Sequence, residues 1–441
     1  MASKREFDIV LLGATGYTGK LTAEYLIRTL STSFKWAIAG RSESKLKEVA
    51  SELKSINNQG AQPSIVTTGF TASDLDSLTK KSTVIINLVG PYHLYSSPVV
   101  EAAAKNGTHY IDATGETPWV KEMIVAHEAT AKKTGAILVL EDGLESAPSD
   151  LLAFKAAQLV RKVWDCGVSD MVASIHELST SGPSGGTLAT ALSLFDHYPL
   201  GELRQMFTNA FVLTPQRLQP YTPTTIYPAN PQPNTYIRSL PTRLFGVWSY
   251  PRLGNLTTSL SAKSNEAIVQ RSAGLNPYLY GFNFTYEEYM AVSNPFWGVV
   301  VHLATVVIAL ALIFPPTRAL LKLLPRPASG AGPDLKARKA QGKAQEVLEM
   351  RGVAIAEQLS RIPRKAMAKL RYEGSLYELT AVCLAAAAVV LLDAKALEEL
   401  RDRFGGGGFL TPASLGDRFV AEIEKGGVSL TAEQIGDAGS K

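Results

Sequence analysis

Phe7-Asp8-Ile9-Val10-Leu11-Leu12-Gly13-Ala14-Thr15-Gly16-Tyr17-Thr18-Gly19 is the stretch that decides the fold of this chain. Ile9–Leu12 is apolar without alternation, as a strand buried on both faces requires. The glycines that follow are spaced G-x-x-G-x-x-G and lead into the helical period of Tyr17–Leu30. Gly13 permits a tight turn off the strand. Gly16 lets the backbone approach a pyrophosphate, and Gly19 lets the helix pack closely on the sheet. A helix beginning near Thr18 directs its free N–H groups and positive dipole end at that phosphate. A glycine turn alone also fits a sheet that binds no nucleotide, so the surrounding pattern has to arbitrate.

That pattern is an alternation. Trp36–Ala39, Ser64–Phe70, Val84–Val89, Tyr110–Ala113 and Ile137–Leu140 read as strands. Glu43–Leu53, Asp74–Lys80, Pro98–Lys105 and Val120–Lys132 read as the helices between them. Strands and helices alternating at these lengths predict an α/β fold with a doubly wound parallel sheet over residues 1–150, and dinucleotide binding at Gly13, Ala14, Thr15, Gly16, Tyr17, Thr18 and Gly19. The second strand ends Ala39-Gly40-Arg41-Ser42, without the acid that holds a ribose 2′-hydroxyl. Arg41, beside Ser42, offers an always-charged fork to a 2′-phosphate, which predicts NADP(H); the alternative is a solvated residue at a helix start.

Asn87-Leu88-Val89-Gly90-Pro91-Tyr92 ends the fourth strand on the same carboxyl edge, so Val89, Gly90 and Pro91 are expected on the ribose–nicotinamide side. Asp112-Ala113-Thr114-Gly115-Glu116 ends the next strand on that rim. Asp112 and Glu116 are candidates for acid–base work, with loop hydrogen bonds and helix capping as the competing role. Tyr92 and His93 are further candidates for a proton or hydrogen-bond donor, against a packed ring in the core. No tyrosine is followed four residues later by lysine, which argues against a short-chain dehydrogenase acid.

From residue 151 the pattern changes. A helix at Leu151–Val163, a strand at Met171–Leu178 and a Gly/Ser loop at Ser181–Gly186 precede residues 214–241, crowded with Pro, Asn, Gln and Thr. Trp297–Phe314 holds eighteen residues without a formal charge, followed by Arg318, Lys322 and Arg326. Two readings stand: contact with a membrane or lipid-droplet surface, or a helix buried against the second sheet or in a homodimer. A linker rich in Pro, Gly, Ala and Lys spans 325–343. Then come a returning strand at Glu346–Ala356, an apolar helix at Tyr377–Leu392 and a glycine turn at Gly405–Gly408. The organisation expected is a nucleotide domain at 1–150, an α+β substrate and dimerisation domain at 151–370, and helices at 371–441 that return to the first domain.

Lys and Arg number 44 against 40 acids, and no dense basic stripe occurs, so nucleic acid is not an expected partner. The two cysteines, Cys166 and Cys383, fit a reducing compartment. The six histidines lack ligand spacing, so no metal is expected. The apolar run at Phe7–Leu12 is too short for a secretory signal, which makes a cytoplasmic protein the expectation.

Together these stretches resemble the saccharopine-dehydrogenase-like oxidoreductase family, in particular its trans-acting enoyl reductase branch. The resemblance rests on Arg5–Val10 with Gly13–Gly19, Ala39-Gly40-Arg41, Val89–Tyr92, Asp112–Glu116, Gly143–Asp150, Ser184–Thr187, Gly408–Ala413 and Leu415-Gly416-Asp417. It implies a Rossmann-type domain covered by a second, α+β domain. It also implies hydride transfer from NADPH to the activated double bond of a lipid-like or polyketide-like acyl substrate, or to an imine. One departure stands out: the family's Cys-Gly-Phe-Asp-Ser run reads Asp142-Gly143-Leu144-Glu145-Ser146 here. A non-catalytic, cofactor-binding adaptor at a membrane or lipid droplet is the competing function.

Overall fold

The computed structural model describes residues 5–214, 240–323, 331–334, 345–358 and 363–436. Its first sheet contains β1 (Phe7–Leu12), β2 (Trp36–Gly40), β3 (Ser64–Thr67), β4 (Ser82–Asn87), β5 (His109–Asp112) and β6 (Ile137–Val139). These strands are parallel in the order β6-β5-β4-β1-β2-β3. Both faces are buried, and β1 shows why: Ile9 and Leu11 join one core while Val10 and Leu12 join the other. Helices Tyr17–Thr29, Glu43–Ile56 and Leu376–Leu392 cover the first face; Ala72–Lys81, Ser97–Asn106 and Thr117–Thr134 cover the second. This is the doubly wound Rossmann-type sheet that the alternation predicts.

The second sheet is mixed. Its strands are β7 (Val168–Ser179), β8 (Val247–Tyr250), β9 (Gly254–Thr257), β10 (Thr285–Val292), β11 (Val347–Ala356) and β12 (Lys365–Glu373). Helix Ala147–Trp164 leaves the first sheet and buries Leu151, Leu152, Ala156 and Val160 in the core that also holds Met171 of β7, Met350 of β11 and Ala368 of β12. One hydrophobic cluster therefore runs through both sheets.

The chain's end contributes to each sheet. Gly408–Leu410, expected within a glycine turn and its exit, forms β13 and pairs in parallel with β6 at the first sheet's edge. Gly405, Gly406, Gly407 and Gly408 all take positive φ, which bends the chain into that slot. Three residues are too few to show a strand period, so the sequence pattern does not reveal it. Ser429–Ile435, here β14, closes the second sheet beside β12.

Two helices are apolar all round, and they differ in environment. Leu376–Leu392 is buried along nearly its whole length between the glycine-turn helix and the returning chain. In Pro295–Ile313, by contrast, only Gly298 is buried. The reading of 297–314 as a helix buried within its own chain is therefore corrected: the segment lies on the surface. Most of residues 214–241 and of the linker 325–343 fall outside the described residues.

Candidate cofactor and active site

The glycine turn has the geometry its spacing calls for. Gly13 has φ +91°, and a Cβ there would lie 2.8 Å from the Leu88 carbonyl oxygen, because the turn passes directly over the end of β4. A Cβ on Gly19 would sit 2.2 Å from the Gly13 carbonyl oxygen, so the first helix packs against its own turn at a distance only glycine allows. Gly16 meets nothing closer than 3.4 Å and caps the helix without a side-chain hydrogen bond, leaving the helix N-terminus open to a phosphate. These residues fit a dinucleotide pyrophosphate.

Arg41 follows β2 on the carboxyl edge, exposed, and among the described residues no acid pairs with it. The nearest acid in sequence, Glu43, is 2.7 Å from Lys47 instead. Ser42 caps the second helix by accepting the Lys45 N–H at 3.5 Å. Among the described residues, then, none competes with a ribose 2′-phosphate for the guanidinium. Arg41→Ala is expected to weaken NADPH binding by roughly 10–100-fold, the worth of charge-assisted hydrogen bonds to one phosphate, and to leave NADH unchanged. Isothermal titration with both nucleotides checks this; equal losses would exclude the assignment.

The four candidate acid–base residues lie at the carboxyl rim, and all are buried. Glu116 accepts the backbone N–H groups of Tyr92 and His93, each at 2.8 Å, and pairs with His93 Nδ1 at 2.5 Å. It thereby holds the first turn of the short helix Tyr92–Tyr95, and the structure brings Tyr92, His93 and Glu116 into one cluster. The Tyr92 ring packs 5.7 Å from Trp119, and its hydroxyl reaches the Asn87 carbonyl at 3.4 Å. Asp112 hydrogen-bonds elsewhere, though it lies near enough to Tyr92 to help raise that hydroxyl's pKa. It accepts from Tyr110 Oη at 2.9 Å and from the N–H groups of Thr114 and Glu141, tying the ends of β5 and β6 together. Burial pushes the Asp112 carboxyl up to about 7.

Glu145 is the carboxylate on this rim that reaches solvent. A Cβ on Gly115 would lie 2.4 Å from Glu145 Oε2, so Gly115 makes room for it. The protein crowding this recess, with Glu288 nearby, raises the Glu145 carboxyl to about 7. Asp142 differs: it is fully buried, and neither oxygen finds a hydrogen-bond partner. Burial, with Asp112 and Asp150 adding to it, pushes its pKa well up and so favours the protonated form. It is near enough to Cys383 to raise that buried thiol's pKa as well.

Distant stretches close around this rim. Asp150 accepts from Ser272 Oγ at 2.5 Å and from the Ala413 N–H at 2.8 Å, joining the 147–150 and 411–413 motifs. Ser149 Oγ, Asn265 Nδ2 and Tyr286 Oη all donate to Glu288 at 2.6–2.9 Å. Ser184 caps the helix Gly185–His197, and its own N–H donates to Tyr377 Oη at 2.6 Å. That helix brings Thr190 to the Gly90 turn, within 4.0 Å of where a Cβ would stand. Ala331–Asp334 crosses the mouth: Tyr17 Oη donates to the Pro333 carbonyl at 2.8 Å, and Gly185 N–H to Ala331 at 3.0 Å. Sequence reasoning missed this strap and Glu288; it noted Glu145 only as a departure from a motif.

Residues 9–139 match the family model described as the saccharopine dehydrogenase NADP binding domain. The chain is 32% identical to a trans-acting enoyl reductase of Mycobacterium leprae, covering 98% of this chain and 99% of the relative. It is likewise 32% identical to a trans-acting enoyl reductase of Mycobacterium tuberculosis, with the same coverage of both chains. Among solved structures, apo saccharopine dehydrogenase (L-Glu forming) of Saccharomyces cerevisiae shares the fold, with a TM-score of 0.52 at 12% identity over 97% of this chain and 99% of that one.

Proposed function

Because this chain belongs to the trans-acting enoyl reductase family of saccharopine-dehydrogenase-like, NADP-dependent oxidoreductases, we propose that it reduces the activated carbon–carbon double bond of a hydrophobic acyl substrate. The observation that carries this reading is the pairing, on one sheet edge, of an intact phosphate turn with the solvent-open carboxylate of Glu145.

NADPH supplies a hydride when bound. Reduction of an enoyl group then requires the carbonyl-conjugated electrons to be received and a proton to be placed on the carbon beside the carbonyl. Glu145 suits the second task. Its pKa of about 7 keeps it substantially protonated at neutral pH, and its opening to solvent lets it regain the proton after each turnover. Tyr92, His93 and Glu116 shape the rim beside the Val89-Gly90-Pro91 turn, where the acceptor has to lie against the nicotinamide face.

The test is NADPH consumption by purified full-length protein with enoyl thioesters of increasing chain length and with cyclic imines. One NADPH is expected per enoyl double bond, with no turnover of imines. Turnover confined to imines would replace the proposed reaction with C=N reduction. Tight NADPH binding with no turnover across the panel would favour an adaptor.

A further inference from the structure

We propose that helix Pro295–Ile313 is a monotopic membrane anchor, lying in the plane of a phospholipid leaflet with its apolar surface immersed in acyl chains. An eighteen-residue window of this helix has a mean hydropathy of 2.5, and the surrounding protein covers almost none of it. Phe296, Leu303, Val307, Leu310 and Phe314 are all more than half exposed and, with the exposed Val300 between the first two, recur at three- and four-residue intervals along one side. Val306, Val307 and Ile308, three consecutive positions, are exposed as well, so the open surface is far wider than the stripe a partner helix covers. Acyl chains can wrap such a surface; a second copy of this chain cannot.

The helix ends are the independent observation. A helix end in water leaves its last carbonyls to the solvent, whereas one in lipid must satisfy them internally. Here Thr317 Oγ1 donates to the carbonyls of Ala311 and Phe314, at 2.7 and 2.8 Å. Arg318 Nη1 donates to those of Leu312 and Ile313, at 2.6 and 3.3 Å. All four terminal carbonyls are therefore engaged. At the other end Pro295 has no N–H to satisfy, and Asn294 Oδ1 accepts the Trp297 N–H at 3.1 Å. The polar side chains inside the helix are also accounted for: His302 Nδ1 bonds Thr258 Oγ1 at 2.8 Å, and Thr305 Oγ1 donates to Val301 within the helix.

Both ends are tied to the body of the protein, which excludes a span. The Gly298 carbonyl accepts from Thr257 Oγ1 of β9 at 2.8 Å. Just past the other end, Arg318 Nε meets Asp196 of helix Gly185–His197 at 2.7 Å, and Lys322 bonds the same carboxylate. A helix crossing the bilayer would carry one end about 28 Å away from that body. Helix Gly185–His197 also borders the Gly90 turn, so the immersed surface adjoins the mouth of the site.

Flotation of the full-length protein with phosphatidylcholine vesicles, with and without phosphatidylserine, tests the anchor. The wild type is expected to float with both, and Val307→Asp/Leu310→Asp to lose at least tenfold in bound fraction while keeping wild-type NADPH affinity. A wild type that stays in the aqueous fraction overturns the proposal, as does a dimer that these substitutions split. Cysteines introduced as Ser293→Cys and Pro316→Cys in a Cys166→Ser background distinguish in-plane from spanning. Both should react with an impermeant maleimide added outside sealed vesicles; protection of one end overturns the in-plane geometry. Neither readout depends on the substrate proposed above.

Discussion

Glu145→Gln is expected to lower kcat on an enoyl thioester by about 10²–10⁴-fold, the usual contribution of a positioned general acid, while leaving NADPH binding unchanged. Glutamine fills nearly the same volume and keeps a polar group beside Gly115, so the recess itself should persist. The pH profile separates chemistry from folding. In the wild type, kcat should fall as pH rises through about 7, because the proton to be donated is lost there. The variant should lack that alkaline limb. A variant retaining both its rate and the limb would remove Glu145 from the reaction and return attention to Tyr92 and His93.

The second large effect concerns stability. Asp150 is fully buried between helix Ala147–Trp164, Ser272 and the turn at Thr411–Ala413, and burial raises its pKa from 3.8 to about 7. Between those values the folded protein holds a proton that the unfolded chain releases. Stability contributed by this group is therefore complete below about pH 4 and declines as pH rises to about 7, by at most about 1.4 kcal/mol per pH unit. Asp150→Asn mimics the neutral acid and should remove the decline. Denaturant unfolding of the cofactor-free protein at pH 5 and pH 8 should show the variant gaining roughly 2–4 kcal/mol on the wild type across that interval. A constant difference would mean that Asp150 is ionised throughout. His109, whose burial drives its pKa down to about 3, makes stability rise with pH over part of the same range, but it does so equally in both proteins and cancels in the comparison.

What could be read from the sequence was local. The turn at Gly13–Gly19 and the strand–helix alternation announce themselves through short-range spacing, and Arg41 is recognisable because it stands where an acid is expected. What stayed hidden depends on pairs far apart in the chain. Arg5, part of the opening motif, lies at the sheet's opposite edge, where it donates to the carbonyls of Thr79, Ser82 and Asn106 at 2.6–2.7 Å. Arg271 is buried and donates to the carbonyls of Leu213 and Phe409, each at 2.6 Å. No periodicity marks such partners, because each hydrogen bond is specified by tertiary packing alone. The apolar helices make the same point from the other side. Leu376–Leu392 and Pro295–Ile313 have similar composition, and only the surrounding fold determines that one is a core element and the other a surface.

The placement of Gly408–Leu410 beside β6 has a consequence for how this protein is made. On the ribosome β1 to β6 emerge first, yet the β6 edge stays bare until Gly408–Leu410 has also been synthesised, after all the strands β7 to β12. An unpaired edge is a template for other strands, so the nascent protein spends most of its synthesis with an adhesive flank. The same arrangement means that the nucleotide-binding portion cannot be excised cleanly as a fragment. Its last strand lies, in sequence, beyond strands β7 to β12 of the second sheet.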